Sequence, residues 1–144
     1  MAKSFDNRDG WIWMDGDFIP WREATSHVIS QGLHYASSVF EGERAYNGKI
    51  FKSLEHSERF KKSANLIDFE IPYSVEEIEK AKYQALEENG LTDAYVRAFA
   101  WRGAGERARP GRRRARDAIA ANAGTARSRT LLRTRGRATI SIRR

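Results

Sequence analysis

The chain has 144 residues, no cysteine and a formal net charge of +7. Without cysteine there is no disulfide framework, thiolate metal site or cysteine nucleophile. No apolar run is long enough to cross a bilayer, and Met1 to Gly10 is polar and of mixed charge, unlike a signal peptide.

In chain order, Trp11-Ile-Trp-Met and Asp17-Phe-Ile-Pro flank the tight-turn pair Asp15-Gly16, which predicts a β-hairpin. Pro20 cannot donate to a ladder, so the second strand ends there or lies at an edge. Residues 31–42 show no clean period and are expected to form a loop or a single helical turn. Glu43-Arg-Ala-Tyr46 and Lys49-Ile-Phe51 flank Asn47-Gly48, a second hairpin signal. Ser53 is expected to cap a helix running to about Ile67, with His56, Phe60, Ser63, Ala64 and Ile67 on one face. Pro72 punctuates the chain. Ser74-Val-Glu-Glu77 matches a capping box. The helix it opens buries Val75, Ile78, Ala81, Ala85 and Leu86, and Asn89-Gly90 ends it. Ala94-Tyr-Val-Arg-Ala-Phe-Ala-Trp101 alternates and predicts a strand. The order describes an α+β domain, an antiparallel sheet with covering helices.

The charge divides along the chain. Residues 1–101 carry twelve basic against seventeen acidic side chains, a net −5; residues 102–144 carry fourteen Arg against Glu106 and Asp117, a net +12. A split this large marks two segments of different nature: an α+β domain over 1–103 and an Arg/Ala/Gly-rich tail over 104–144. The tail has no aromatic residue and little apolar bulk, so it is expected to be disordered. Its composition fits either a basic arm that binds nucleic acid non-specifically or a frameshift in a GC-rich gene. The frameshift is favoured, because the change falls just after a strand and not at a domain linker.

No phosphate loop, metal-ligand cluster or Ser/His/Asp set is recognisable. His27, His34 and His56 are scattered and read as structural. Arg44, Arg59 and Arg97 stand out among apolar or aromatic neighbours; each suits a carboxylate or phosphate, or else an ordinary ion pair. Tyr95 and Arg97, two apart on one strand, share a face and could present a hydroxyl and a guanidinium together. Tyr35 and Phe40 could line an apolar pocket or belong to a core.

Three stretches carry a resemblance. His34-Tyr-Ala-Ser-Ser-Val-Phe-Glu-Gly-Glu-Arg44, Glu55-His-Ser-Glu-Arg59-Phe and Ala94-Tyr-Val-Arg97-Ala-Phe-Ala-Trp101 are similar to the small N-terminal domain of branched-chain amino acid aminotransferases, which are fold-type IV enzymes dependent on pyridoxal 5'-phosphate (PLP). Trp13-Met-Asp-Gly and Ser26 to Tyr35 fit the same pattern, and the likeness covers about residues 8–103. It implies amino-group transfer between leucine, isoleucine or valine and 2-oxoglutarate. The implied partners are branched-chain amino acids, 2-oxo acids, glutamate and a second copy of the chain, in the cytoplasm, with no membrane. It also implies roles: Arg59 on the PLP phosphate, Tyr95 on the substrate α-carboxylate, Arg97 on the distal carboxylate of glutamate, Phe40 in the apolar pocket, Tyr35 in the neighbouring subunit's site, and Arg44 in support.

The family's Schiff-base lysine lies in a second, larger domain beyond the matched stretch, and the last lysine here is Lys82. No catalytic residue and no metal ligand is therefore assigned. The chain is expected to be a truncated, inactive form of the enzyme, with its stable binding of PLP in doubt. The alternative is a non-enzymatic nucleic-acid-binding protein acting through the tail.

Overall fold

A computed structural model describes residue 4 and residues 6–103, together with the backbone of two further strands. The element order is β1 (Trp11–Met14), β2 (Asp17–Pro20), a 3-10 turn (Trp21–Glu23), α1 (Gln31–His34), β3 (Ser38–Tyr46), β4 (Lys49–Ile50), α2 (Ser53–Leu66), α3 (Val75–Glu88), β5 (Ala94–Arg102), β6 (Asp117–Ala123) and β7 (Gly136–Arg143).

The strands join in one sheet of order β2-β1-β6-β7-β5-β3-β4. Both expected hairpins form, with Trp13 opposite Phe18 and Ala45 opposite Ile50. In the second turn Asn47 and Gly48 take φ of 49° and 75°, the positive values a two-residue hairpin of this twist requires. β3 begins at Ser38, five residues earlier than its hairpin signal indicates, because it pairs antiparallel with β5 from Ser38↔Trp101 to Ala45↔Ala94. That long pairing, invisible in local sequence, draws most of the irregular stretch before Glu43 into the sheet. α1 is the single helical turn expected there.

Alternation along β3 and β5 sets two faces. Glu41, Glu43 and Ala45 on β3, and Ala94, Val96, Ala98 and Ala100 on β5, are buried. On that side α2 and α3 lay Phe60, Ala64, Ile78, Ala81, Ala85 and Leu86 against them in the main core. Small residues on the strands admit the helices closely, while the larger side chains of the helices fill the volume. A second cluster, Ile12, Met14, Trp21, Ala24 and Trp101, lies apart from it, and Phe99 and Ile19 pack on its rim.

The capping box forms: Ser74 Oγ accepts from the Glu77 N–H at 3.1 Å, and Glu77 Oε2 accepts from the Ser74 N–H at 2.7 Å. α3 ends at the expected place, where Asn89 also bonds outward. Its Oδ1 accepts from the Trp11 N–H and its Nδ2 donates to the Trp11 carbonyl, tying β1 to the helix.

The Ser53 cap does not form. Lys52, in the left-handed region at φ 51°, occupies the cap position of α2, and the Ser53 hydroxyl instead donates to Glu79 at 3.0 Å. Ile67 is exposed, since the helix stops at Leu66 and leaves it off the buried face.

Of the basic segment 104–144, the structure describes 117–123 and 136–143, both as strands. β6 pairs with Arg97–Arg102 of β5, and β7 pairs with Tyr95 and Val96. β6 and β7 run parallel to each other, an exception to the antiparallel sheet. The apolar alternation at Ala138-Thr-Ile-Ser-Ile142 falls within β7. The expectations of disorder and of a frameshift otherwise fall on 104–116, 124–135 and 144, outside the described residues.

Candidate active site

Three of the expected site residues come together on the face of the sheet turned away from α2 and α3. Phe40 on β3 and Tyr95 and Arg97 on β5 point to that side, with Gly42 directly opposite Arg97 in the ladder. The Arg97 guanidinium lies 4.7 Å from the Phe40 ring centroid and 5.5 Å from that of Tyr95, within cation–π range. Its Nη2 donates to the Tyr95 hydroxyl at 3.3 Å. Its Nε is buried and has no hydrogen-bond partner among the described residues. A half-buried guanidinium held between two aromatic rings has the chemistry to pair with an acceptor such as a carboxylate.

Gly42 makes this possible. A Cβ at that position would collide with the Tyr95 hydroxyl and crowd the end of its ring. Glycine in the Phe-Glu-Gly stretch is therefore what lets Tyr95 lie flat across β3 beside Arg97.

Arg59 lies elsewhere, on α2 over the opposite face of β3. Its Nε donates to Glu41 Oε1 at 2.8 Å and its Nη2 donates to Oε2 at 2.6 Å. His56, one turn earlier on α2, places Nδ1 2.8 Å from the same Oε2. Burial pushes the Glu41 carboxyl up, but the hydrogen bonds from Arg59 and His56, with their charge, outweigh burial and hold it below the usual carboxylate range. His56 Nδ1 also lies 3.2 Å from Arg59 Nη2, so Glu41, His56 and Arg59 form one cluster. The Arg59 side chain remains 63% exposed, whereas that of Glu41 is 5% exposed.

Tyr35 follows α1 and is exposed, its ring 6.1 Å from that of His34. Phe40 is exposed as well. Arg44 is exposed on the Phe40 side of β3 and covers the Tyr46 ring at 5.7 Å, apart from Arg59.

The residue-type reading missed a buried ionic group beneath α2. Lys82 Nζ on α3 is 2.7 Å from both Glu43 Oε2 and Glu79 Oε1 and donates to the Ser53 carbonyl at 3.0 Å. The Lys82 and Glu43 side chains are fully buried. Burial raises the Glu43 carboxyl, and the Lys82 charge and hydrogen bond offset this only in part. Its Oε1 has no partner among the described residues. Two signals were available: alternation puts Glu41 and Glu43 on one strand face, and His56 and Arg59 are three apart on a helix. Neither reveals that the two faces meet.

Among the described residues there is no cluster of His, Asp and Glu suited to a metal, and no helix is long and apolar enough to cross a membrane.

The family model for amino-transferase class IV matches residues 38–141. The likeness therefore does not stop at Gly103 but continues through β6 and most of β7. The probable branched-chain-amino-acid aminotransferase of Rickettsia bellii (strain RML369-C) is 48% identical over 103 residues, 72% of this chain and 36% of the relative. The branched-chain-amino-acid aminotransferase of Pseudomonas aeruginosa PAO1 is 43% identical over 104 residues, 69% of this chain and 34% of the relative. The chain thus spans about a third of the length of these curated relatives. Among solved structures, the T.th. branched-chain amino acid aminotransferase complexed with N-(5'-phosphopyridoxyl)-L-glutamate is 44% identical, with a TM-score of 0.64, over 67% of this chain and 34% of that one. The Escherichia coli enzyme is 34% identical, with a TM-score of 0.65, over 72% and 38%. Fold and family model agree over the sheet that carries Phe40, Tyr95 and Arg97, and the chain belongs to the class IV aminotransferases.

Proposed function

We propose that this chain supplies the small-domain side of the active site of a branched-chain amino acid transaminase. The reaction moves an amino group between leucine, isoleucine or valine and 2-oxoglutarate. In this reading the working enzyme is cytoplasmic and at least dimeric. PLP, when bound, supplies the electron sink for the chemistry. The observation that carries the reading is the Arg97 guanidinium held between Phe40 and Tyr95 with its Nε unspent.

Such a pocket suits two substrates of opposite character. Phe40 offers an apolar wall to a branched side chain. Arg97 offers a charged donor to the distal carboxylate of glutamate, and Tyr95 a hydroxyl to the α-carboxylate. Tyr35, exposed beyond α1, is free of the core and suited to enter a neighbouring subunit's site. Arg59 fits a phosphate group: its Nε and Nη2 are engaged by Glu41, Nη2 also lies near His56 Nδ1, and its Nη1 remains uncommitted on a mostly exposed side chain. No lysine here fits the anchoring role for the cofactor. Lys82, the last in the chain, spends its ammonium on Glu43, Glu79 and Ser53. No observation among the described residues favours the alternative of a nucleic-acid-binding protein.

The test uses a full-length relative that carries the residue matching Arg97. Replacing that arginine with alanine should lower kcat/KM for glutamate by roughly ten- to a hundredfold, while leucine turnover changes much less. Equal losses for both substrates would reject the assignment.

A further inference from the structure

We propose that Glu41 is the positioning residue of the phosphate site: it fixes one edge of the Arg59 guanidinium so that the other edge is presented to a phosphate monoester. This rests on the reading of Arg59 as the phosphate ligand.

A guanidinium has two edges that can each hold an oxyanion with paired N–H groups. Glu41 takes the side edge, Nε and Nη2, at 2.8 and 2.6 Å. Nη2 also lies 3.2 Å from His56 Nδ1, so the donors left uncommitted are the two on Nη1, one of which faces the end edge. The two partners differ in freedom. Glu41 stands on β3, paired on both sides in the sheet, with its side chain almost wholly buried, and it also lies 2.8 Å from His56 Nδ1. Arg59 stands on the surface of α2 with its side chain mostly exposed. A fixed carboxylate therefore orients a mobile arginine. An exposed arginine loses much rotamer freedom when it grips a ligand, and an arginine already held loses less. The Glu41 charge does not cancel this gain. It lies behind the guanidinium relative to the end edge, and Arg59 and His56 already offset it. His56 keeps the carboxylate from turning, so the three groups act as one support.

The test measures a ratio with the 144-residue chain: affinity for pyridoxamine 5'-phosphate against pyridoxamine, by titration calorimetry. The two probes differ only in the phosphate, and neither carries an aldehyde that would react with surface lysines. The chain should prefer the phosphorylated probe, and Arg59→Ala should erase the preference. Glu41→Ala should reduce it roughly tenfold, and Glu41→Gln, which keeps the shape and one acceptor oxygen, by less. If Glu41→Ala does not fold, Glu41→Gln decides.

A merely structural role for Glu41 would weaken both probes alike and leave the ratio unchanged. An unchanged or increased ratio in the Glu41 variants therefore overturns the positioning role, provided Arg59→Ala erases the preference. A preference that survives Arg59→Ala, or that the unaltered chain lacks, instead overturns the phosphate reading itself.

Discussion

Two glutamates two positions apart on β3 behave in opposite ways. Glu41 is buried but doubly donated to, and its carboxyl is held below the usual range; Glu43 is buried deeper, and its carboxyl is raised. The signs follow by linkage. A lowered carboxyl contributes stability that is present above its unfolded pKa, about 4.3 for glutamate, and lost as the pH falls through the folded value. A raised carboxyl contributes in the reverse sense and loses its share as the pH rises. Glu41→Gln should therefore lower the melting temperature at neutral pH, and the gap from the unaltered chain should close as the pH is taken down past the glutamate range. A gap that stays constant across that window would show that the Glu41 charge is not what stabilises the fold. The residue types at 41, 43, 56 and 59 were plain in the sequence, but their pairing was not. A carboxylate on a strand and a guanidinium on a helix meet only once the helix is laid on the sheet.

At the level of the elements, the hairpins and α3 were legible because their signals are local. Asp15-Gly16 and Asn47-Gly48 dictate turn geometry whatever surrounds them, and the Ser74–Glu77 box satisfies backbone donors within one helical turn. Ser74→Ala should destabilise the chain by about 1 kcal/mol, read as a lower denaturant midpoint with an unchanged slope. No shift would mean that tertiary contacts alone hold the start of α3. α2 shows the limit of such signals. Ser53 has a cap's chemistry and stands at the helix start, yet its hydroxyl serves Glu79 from the first turn while Lys52 takes the cap position. Side chains with several possible partners are decided by what packs nearby.

Across the whole domain, the Lys82 group joins three elements: α3 contributes Lys82 and Glu79, β3 contributes Glu43, and α2 contributes Ser53 and Ser57. Burying these charges is costly, and their mutual geometry offsets the cost. Lys82→Met should cost about 3–5 kcal/mol at neutral pH, because it leaves Glu43 buried without its cation. The loss should shrink as the pH falls and Glu43 takes up a proton. Adding Glu43→Leu should recover much of it. Chemical denaturation of the single and double variants measures both effects, and a small loss for Lys82→Met alone would show that water reaches the group.

The sequence alone determined the hairpins, the two long helices, the closing strand and the family resemblance, since turn residues, helical spacing and ordered motifs act through near neighbours. Only the tertiary structure decided which faces those elements share. Pairing of β3 with β5 put Phe40, Gly42, Tyr95 and Arg97 on one surface, and docking of α2 on the other brought Arg59 to Glu41. It also placed residues 117–123 and 136–143 in the sheet. A strand's free N–H and C=O groups can pair with any strand that reaches them, so local sequence alone does not name the partner; that depends on where the chain folds back.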